Sequence, residues 1–245
     1  SWSNSATTQN LSSLVAGTYT VTVTDKNACT IKDTAIVTQP TKLAKSKSIT
    51  NVKCNAGNDG AVNLTITGGV TPYGYVWSNA ATTANISGLT AGTYTVTVTD
   101  NNGCVIRDTA VITQPNKLTK AKVVTNVNCF GNNNGSVDLT IAGGTTPYAY
   151  SWSNSSTSED LTSLAPGTYT VVVTDKNGCI IRDTATITQP NKLAKSKTIT
   201  QVKCFGNTDG AVALTITGGT TPYSYSWSNS STNQNLSNVG AGTYT

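Results

Sequence analysis

The chain has 245 residues, of which 37% are hydrophobic and only 11% charged, and sixteen basic against eleven acidic side chains give a net charge of +5. It contains no histidine, the commonest general base and metal ligand, so the composition argues against an enzyme and against a metal or other cofactor site. The mild positive charge does not indicate nucleic-acid binding, and no apolar run reaches the roughly 18–20 residues that span a bilayer.

The sequence repeats itself every 75 residues. Tryptophan recurs at this spacing, and the phrase Thr-Gln-Pro ends at Pro40, Pro115 and Pro190. Because proline tends to end a strand, we place the unit boundaries after these prolines. The predicted organisation is the C-terminal part of a repeat at 1–40, complete repeats at 41–115 and 116–190, and the N-terminal part of a repeat at 191–245. We therefore expect the chain to be one segment, here called the window, of a longer array of repeats.

The first half of unit 41–115 predicts two strands and a turn. Residues 43–52 indicate a weak strand whose lysines, Lys45 and Lys47, alternate outward. Residues 61–67 alternate apolar and polar side chains, the period of a half-buried strand. The turn follows at 68–72, which contains two glycines and a proline.

The second half of the unit continues this pattern. Residues 73–77 carry an aromatic face, 79–91 hold one or two short strands, and 93–99 alternate threonine with Tyr94 and two valines. An Asp-Asn-Asn-Gly turn at 100–103 leads to a last strand at 105–113. About six or seven short strands per unit predict an all-β chain of tandem immunoglobulin-like antiparallel sandwiches. With restricted Gln-Pro junctions, the units should form an elongated rod that rises roughly 35–45 Å per repeat.

The cysteines form two series with the same period, one at Cys29, Cys104 and Cys179 and the other at Cys54, Cys129 and Cys204. Two per small repeat predict disulfides and an oxidising compartment. The favoured pairing lies within each unit, Cys54–Cys104 and Cys129–Cys179, because each small domain then has its own covalent link. Cys29 and Cys204 would then pair outside this window. The open alternative pairs across the junctions, as Cys29–Cys54, Cys104–Cys129 and Cys179–Cys204.

Unit 41–115 contains four ordered phrases: C-N-A-G-N-D-G at 54–60, G-G-V-T-P-Y-G-Y-V-W-S-N at 68–79, L-T-A-G-T-Y-T-V-T-V-T-D-N-N-G-C at 89–104 and I-T-Q-P at 112–115. Together they resemble the SprB-type repeat of Bacteroidota cell-surface adhesins. The resemblance covers the whole chain. It implies a very large surface protein, exported by the type IX secretion system and, in gliding species, moved along the cell as an adhesin. It gives no catalytic residue and no ligand.

Three sets of residues are candidate sites. The aromatic residues Trp77, Trp152, Tyr94 and Tyr169 are expected in the core, with sugar stacking by the 73–77 face as the alternative. The lysines near each junction either bind acidic polysaccharide or protect an exposed strand edge. Threonines in the recurring Asp-Thr-Ala phrase match the acceptor pattern of Bacteroidota O-glycosylation, at Thr34, Thr109 and Thr184.

These observations predict a structural and adhesive segment of a long surface filament, which holds a distal binding region away from the cell. The alternative is a multivalent module whose repeats each bind glycan weakly. Partners would be surfaces or polysaccharides, bound through regions outside this window, together with secretion and motility machinery. The expected location is extracellular, on the cell surface and associated with the outer membrane.

Overall fold

The computed structural model describes residues 1–245, which form seventeen β-strands joined by turns and loops. The chain divides into two compact units. Unit 1 consists of Ser1–Val52 and Ala56–Gln114, and unit 2 consists of Lys53–Asn55 and Pro115–Thr245. No helix occurs that has the length and apolarity to cross a membrane.

Unit 1 contains a two-stranded sheet, β1-β2, and two three-stranded antiparallel sheets with strand orders β3-β4-β6 and β5-β7-β8. The strands are β1 Gly17–Thr24, β2 Thr30–Val37, β3 Ala44–Thr50, β4 Gly60–Thr67, β5 Gly74–Trp77, β6 Asn85–Leu89, β7 Gly92–Thr99 and β8 Val105–Ile112.

Period-two alternation builds the core between the two three-stranded sheets of unit 1. In β4, Val62 and Leu64 are buried while Asn63, between them, is exposed. From the other sheet, Trp77 lies opposite Val96, and both are buried in the same cluster. The two sheets therefore face each other as a sandwich, with the apolar side chains inside.

Unit 2 also contains three sheets, and two of them repeat this sandwich. Its sheets have strand orders β12-β10-β9, β11-β13-β14 and β15-β16-β17. The strands are β9 Thr119–Thr125, β10 Gly135–Ala142, β11 Ala149–Trp152, β12 Leu161–Leu164, β13 Gly167–Thr174, β14 Ile180–Ile187, β15 Ala194–Thr200, β16 Gly210–Thr217 and β17 Leu236–Val239. Trp152 is 4% exposed and lies in the core of the first two of these sheets.

Two details mark the sandwiches as immunoglobulin-like. A buried tryptophan ends the short strand β5 and another ends β11. A tyrosine near the start of the next long strand donates a hydrogen bond from its hydroxyl to the backbone carbonyl four residues earlier. The Tyr94 hydroxyl donates to the Thr90 carbonyl at 3.1 Å, and the Tyr169 hydroxyl donates to the Ala165 carbonyl at 3.0 Å. Such a tyrosine corner is typical of this fold class, and the all-β sandwich prediction is confirmed.

Candidate functional site

A tight turn between β13 and β14 presents Cys179. The Asp175 carboxylate, which is 4% exposed, accepts hydrogen bonds through Oδ1 from the amides of Asn177 and Cys179, both at 2.8 Å. Its Oδ2 accepts from the Thr145 amide at 2.9 Å. Gly178 has φ of +85°, a conformation that glycine adopts without strain. We call residues 175–179 the cysteine turn.

The equivalent turn in unit 1 has the same construction. Asp100 accepts from the amides of Asn102 at 3.0 Å, Cys104 at 2.8 Å and Val70 at 3.0 Å. The Val70 hydrogen bond is the largest influence on the pKa of Asp100, and together with the other amides it outweighs burial and lowers that pKa below its ordinary value. In both turns the aspartate therefore fixes the position of the cysteine through its hydrogen bonds to backbone amides.

In unit 2, the cysteine turn is bonded to the short segment Lys53–Asn55. Cys179 forms a disulfide with Cys54, with 5.6 Å between the two Cα atoms. The Asn177 side-chain amide donates to the Lys53 carbonyl and to the Thr145 hydroxyl, both at 3.0 Å. The disulfide joins a cysteine of sequence unit 41–115 to a cysteine of sequence unit 116–190.

The predicted pairs Cys54–Cys104 and Cys129–Cys179 are wrong, and the alternative pairs across the junctions do not form either. Cys29, Cys104, Cys129 and Cys204 are free and exposed.

The length of β8 explains the error. The Val52 amide donates to the Thr113 carbonyl, so the chain that leads to Cys54 lies at the C-terminal end of this strand. Cys104 precedes its N-terminal end, and eight residues at about 3.3 Å each separate the two ends by roughly 26 Å. Bridged Cα atoms lie within about 7 Å of each other, so the two cysteines of one unit cannot meet.

Lysines of the first strand in each complete repeat form ion pairs across the side of the sandwich. Lys120 and Lys122 of β9 contact the two Asp183 carboxylate oxygens of β14 at 2.7 and 3.0 Å. Lys45 and Lys47 make the same contacts with Asp108, at 2.8 and 3.0 Å. These lysines therefore connect the edge strands of two sheets. Sequence reasoning missed these pairs, although lysine and Asp-Thr-Ala recur together.

Electrostatics at these edge pairs favour the ionised carboxylate. Partial burial raises the pKa of Asp183, but hydrogen bonds from Lys120, the Thr184 amide and Lys122 outweigh it, and the net pKa lies below its ordinary value of 3.8. Burial and the two lysines oppose each other at Asp108 in the same way, with the same net direction. Asp33 has no lysine contact and hydrogen-bonds only to the amide of Thr34, its neighbour.

The remaining candidate residues divide into buried and exposed sets. Trp77 and Trp152 are buried, and Tyr94 and Tyr169 are half-buried against the same cores. Tyr150 packs partly into its core, and burial, assisted by nearby Glu159, raises its pKa to about 12. Thr34, Thr109 and Thr184 are all exposed, on β2, β8 and β14. No three His, Cys, Asp or Glu side chains lie close enough together to hold a metal ion.

Comparison with known proteins finds a family model that is similar to part of each repeat. The family model described as SprB repeat matches residues 46–82, 121–157 and 196–232, three segments one period apart. A search of curated proteins found no significant match.

Among solved structures, the chain is similar to "Drosophila OTK, extracellular domains 3-5", at 14% identity and a TM-score of 0.32 over 71% of each chain. It is also similar to "Structural basis for Dscam isoform specificity", at 11% identity and a TM-score of 0.29, over 70% of this chain and 54% of that one. A third similar structure is the N-terminal eight Ig domains of Down Syndrome Cell Adhesion Molecule, at 12% identity and a TM-score of 0.29, over 76% of this chain and 28% of that one. At these scores the assignment of the fold rests on the strands and cores described above.

Proposed function

Because three segments of the chain match the SprB repeat, we propose that the chain is a structural segment of a long cell-surface adhesin. Its role would be that of a spacer that holds a distal binding region away from the cell, and not that of a binding site. The single observation that supports this role is the disulfide between two successive sequence repeats. The bond from Cys54 to Cys179 joins sequence repeat 41–115 covalently to sequence repeat 116–190, in addition to the backbone that connects them. The finer proposal is that the array extends from the outer membrane, is exported by type IX secretion and acts in gliding.

The domain organisation belongs to the same proposal. The repeats 41–115 and 116–190 would be independent domains, flanked by the parts of repeats at 1–40 and 191–245. One apolar cluster draws all its members from between Val52 and Ile112, and the other from between Leu118 and Ile187. Each cluster lies inside one sequence unit, which favours boundaries near Pro115 and Pro190.

Small-angle scattering on chains of two, three and four complete repeats tests the proposed reach. We expect the maximum dimension to grow nearly linearly with repeat number, because short junctions without glycine restrict the angle between units. A maximum dimension that stops growing after two repeats would contradict a spacing role.

The alternative, a glycan-binding array, has less support. Sugar stacking needs an exposed aromatic face, whereas Trp77 is 3% exposed and Trp152 is 4% exposed. On a glycan array, we expect the 245-residue chain to bind no better than a variant with alanine at Lys192, Lys195 and Lys197. Strong binding that this variant loses would establish the alternative instead.

Glycosylation at Thr34, Thr109 and Thr184 remains a separate proposal. The exposure of all three threonines supports it, because a transferase needs access to the hydroxyl. The Asp in the phrase has a structural role at Asp108 and Asp183, so the sequence match alone does not decide the question. Intact mass of the protein purified from its native cell, followed by peptide mapping, tests it. An unmodified mass would exclude glycosylation.

A further inference from the structure

The Cys54–Cys179 disulfide obeys a spacing that the other cysteines share. Its separation of 125 residues is one repeat of 75 plus the 50 residues between the two cysteines of a unit. It joins the first cysteine of one unit to the second cysteine of the next. No other pair of cysteines in the 245 residues has this separation, and no other pair is bonded.

A cleft of about 530 Å³ lies next to Cys129 in unit 2. Its lining includes Asn128, Cys129, Phe130, Leu193, Gly219 and Thr220. Seventy-five residues earlier, the same positions are Lys53, Cys54, Asn55, Leu118, Gly144 and Thr145. Several of these earlier residues contact the cysteine turn, which fills the junction there. Residues 191–245 do not include the equivalent turn, so the corresponding place beside Cys129 is open.

Two kinds of contact hold the turn at the filled junction: those of Thr145 lie within repeat 116–190, as those of Val70 do in repeat 41–115, whereas those of Lys53 and Cys54 join the two repeats. Thr145 accepts a backbone hydrogen bond from Lys176 at 2.9 Å and donates one to Asp175 at 2.9 Å. Asn177 adds bonds to the Thr145 hydroxyl and the Lys53 carbonyl. Most of these contacts use backbone atoms, which the open junction also has at Thr220 and Asn128.

Exposure of one leucine distinguishes the repeat that includes the turn from residues 191–245, which do not include it. Leu118 is 9% exposed in the filled junction, whereas Leu193 is 59% exposed in the open one. A Cβ atom placed on Gly144 would lie 2.7 Å from the Leu118 side chain and 2.8 Å from Asp175 Oδ2, so leucine, glycine and cysteine turn are in close contact there. At Gly219 the neighbours within 4 Å are the side chains of Leu193 and Tyr223, and no aspartate is among them.

We propose that the cleft beside Cys129 is the docking site for the Asp-x-Asn-Gly-Cys turn of the repeat that begins at residue 191, and that the docked cysteine forms a disulfide with Cys129. The occupant follows from the filled junction, where the turn of the repeat that begins at residue 116 occupies the corresponding place beside Cys54. This inference rests on the array of the proposed function but on neither adhesion nor gliding.

The bond forms by thiol–disulfide exchange with a small-molecule disulfide such as oxidised glutathione. One thiolate attacks the oxidant and releases one reduced glutathione, and the second thiolate attacks the mixed disulfide and releases another. Two protein thiols are thereby oxidised to one disulfide, and one oxidant disulfide is reduced to two thiols.

The test extends the 245-residue chain beyond Thr245 by a copy of residues 171–190, which places a cysteine at position 254. After refolding with oxidised and reduced glutathione, free thiols are alkylated and the peptides are mapped by mass spectrometry. We expect Cys129 to become protected and to appear cross-linked to the added cysteine, while Cys29, Cys104 and Cys204 still react. In the unextended chain, the alkylating reagent should modify Cys129 as well as the other three free cysteines.

Two comparisons keep the test decisive. Protection of Cys54 and Cys179 in the same sample reports that unit 2 has folded, so an unprotected Cys129 in that sample overturns the proposal. Replacing Cys129 by serine should leave the added cysteine reactive, because Cys204 does not lie in the cleft. A bond from the added cysteine to Cys204, or from Cys129 of one copy to Cys104 of another, would also overturn it. Scattering that fails to show a rod would leave this bond unaffected.

Discussion

Replacing Asp183 by asparagine tests whether the lysines of β9 stabilise the sandwich by holding the edge of β14. The carboxylate is 16% exposed and accepts from two lysines, whose side chains are 34% and 30% exposed. Exposed ion pairs contribute about 0–1 kcal/mol each, and hydrogen bonds to charged groups about 1.5–3 kcal/mol. Because the ion pairs are partly solvated, we expect Asp183→Asn to lower the free energy of unfolding by an amount between these ranges, about 1–2 kcal/mol.

Calorimetry of the full chain measures this loss. For a domain of this size, about 1 kcal/mol lowers the midpoint of thermal unfolding by roughly 4–8 °C. Hydrogen exchange followed by mass spectrometry should show faster exchange in β9 and β14 but not in β3 and β8. The matched control is Asp33→Asn, which changes the same Asp-Thr-Ala phrase where no lysine contacts the aspartate. Equal effects of the two substitutions would refute the argument.

The pH dependence has a definite sign. Because the folded-state pKa of Asp183 lies below the ordinary value of 3.8, the carboxylate adds stability above that value and loses it as the pH falls through the lowered folded-state pKa. The difference in stability between the natural chain and Asp183→Asn should therefore be full at pH 7 and shrink below about pH 4. A difference that grows on acidification would contradict the assignment.

Three further predictions follow from burial, backbone conformation and composition. Trp152→Ala should lower the free energy of unfolding by about 3–5 kcal/mol in urea titrations, and Trp227→Ala, at a half-buried position, by clearly less. Gly144→Ala should be more destabilising than Gly178→Ala in the same assay, because both have positive φ but only the first would also collide with Leu118. A chelator such as EDTA should leave the unfolding midpoint unchanged, since no acidic or thiol cluster is arranged for a metal; a drop would reveal a site formed another way.

Local patterns predicted the strands well. The alternation in 61–67 gave β4, and the threonine-rich segment 93–99 gave β7, because one side chain in two is buried in a half-buried strand. The polar stretch 79–91 was left open at one or two strands, and β6 occupies Asn85–Leu89 within it. There the register shifts against β4, so strict alternation is absent and periodicity carries little information.

Local sequence patterns could not predict which two cysteines form the disulfide. Which cysteines meet depends on the position of each along an eight-residue strand and on how one sequence unit follows another, and neither is written in the neighbouring residues. The spacing of 125 was available in the sequence, but it is only one of several spacings that two cysteine series allow. The edge pair of Lys120 and Lys122 with Asp183 was missed for the same reason, since more than sixty residues separate the partners.

The disulfide also changes the path along which tension would pass through the chain. Between the two ends of the chain, the bond bypasses the 125-residue separation, which is roughly 430 Å of fully extended backbone. If the proposed bond recurs at every junction, successive loops overlap, and tension leaving Cys179 travels only the 25 residues to Cys204 before the next bond carries it on. That segment extends to roughly 85 Å, about the expected length of the two folded repeats it serves. Unfolding of the domains would then add almost no length to the array. The end-to-end length of the array under tension would stay nearly the same even if its domains unfolded.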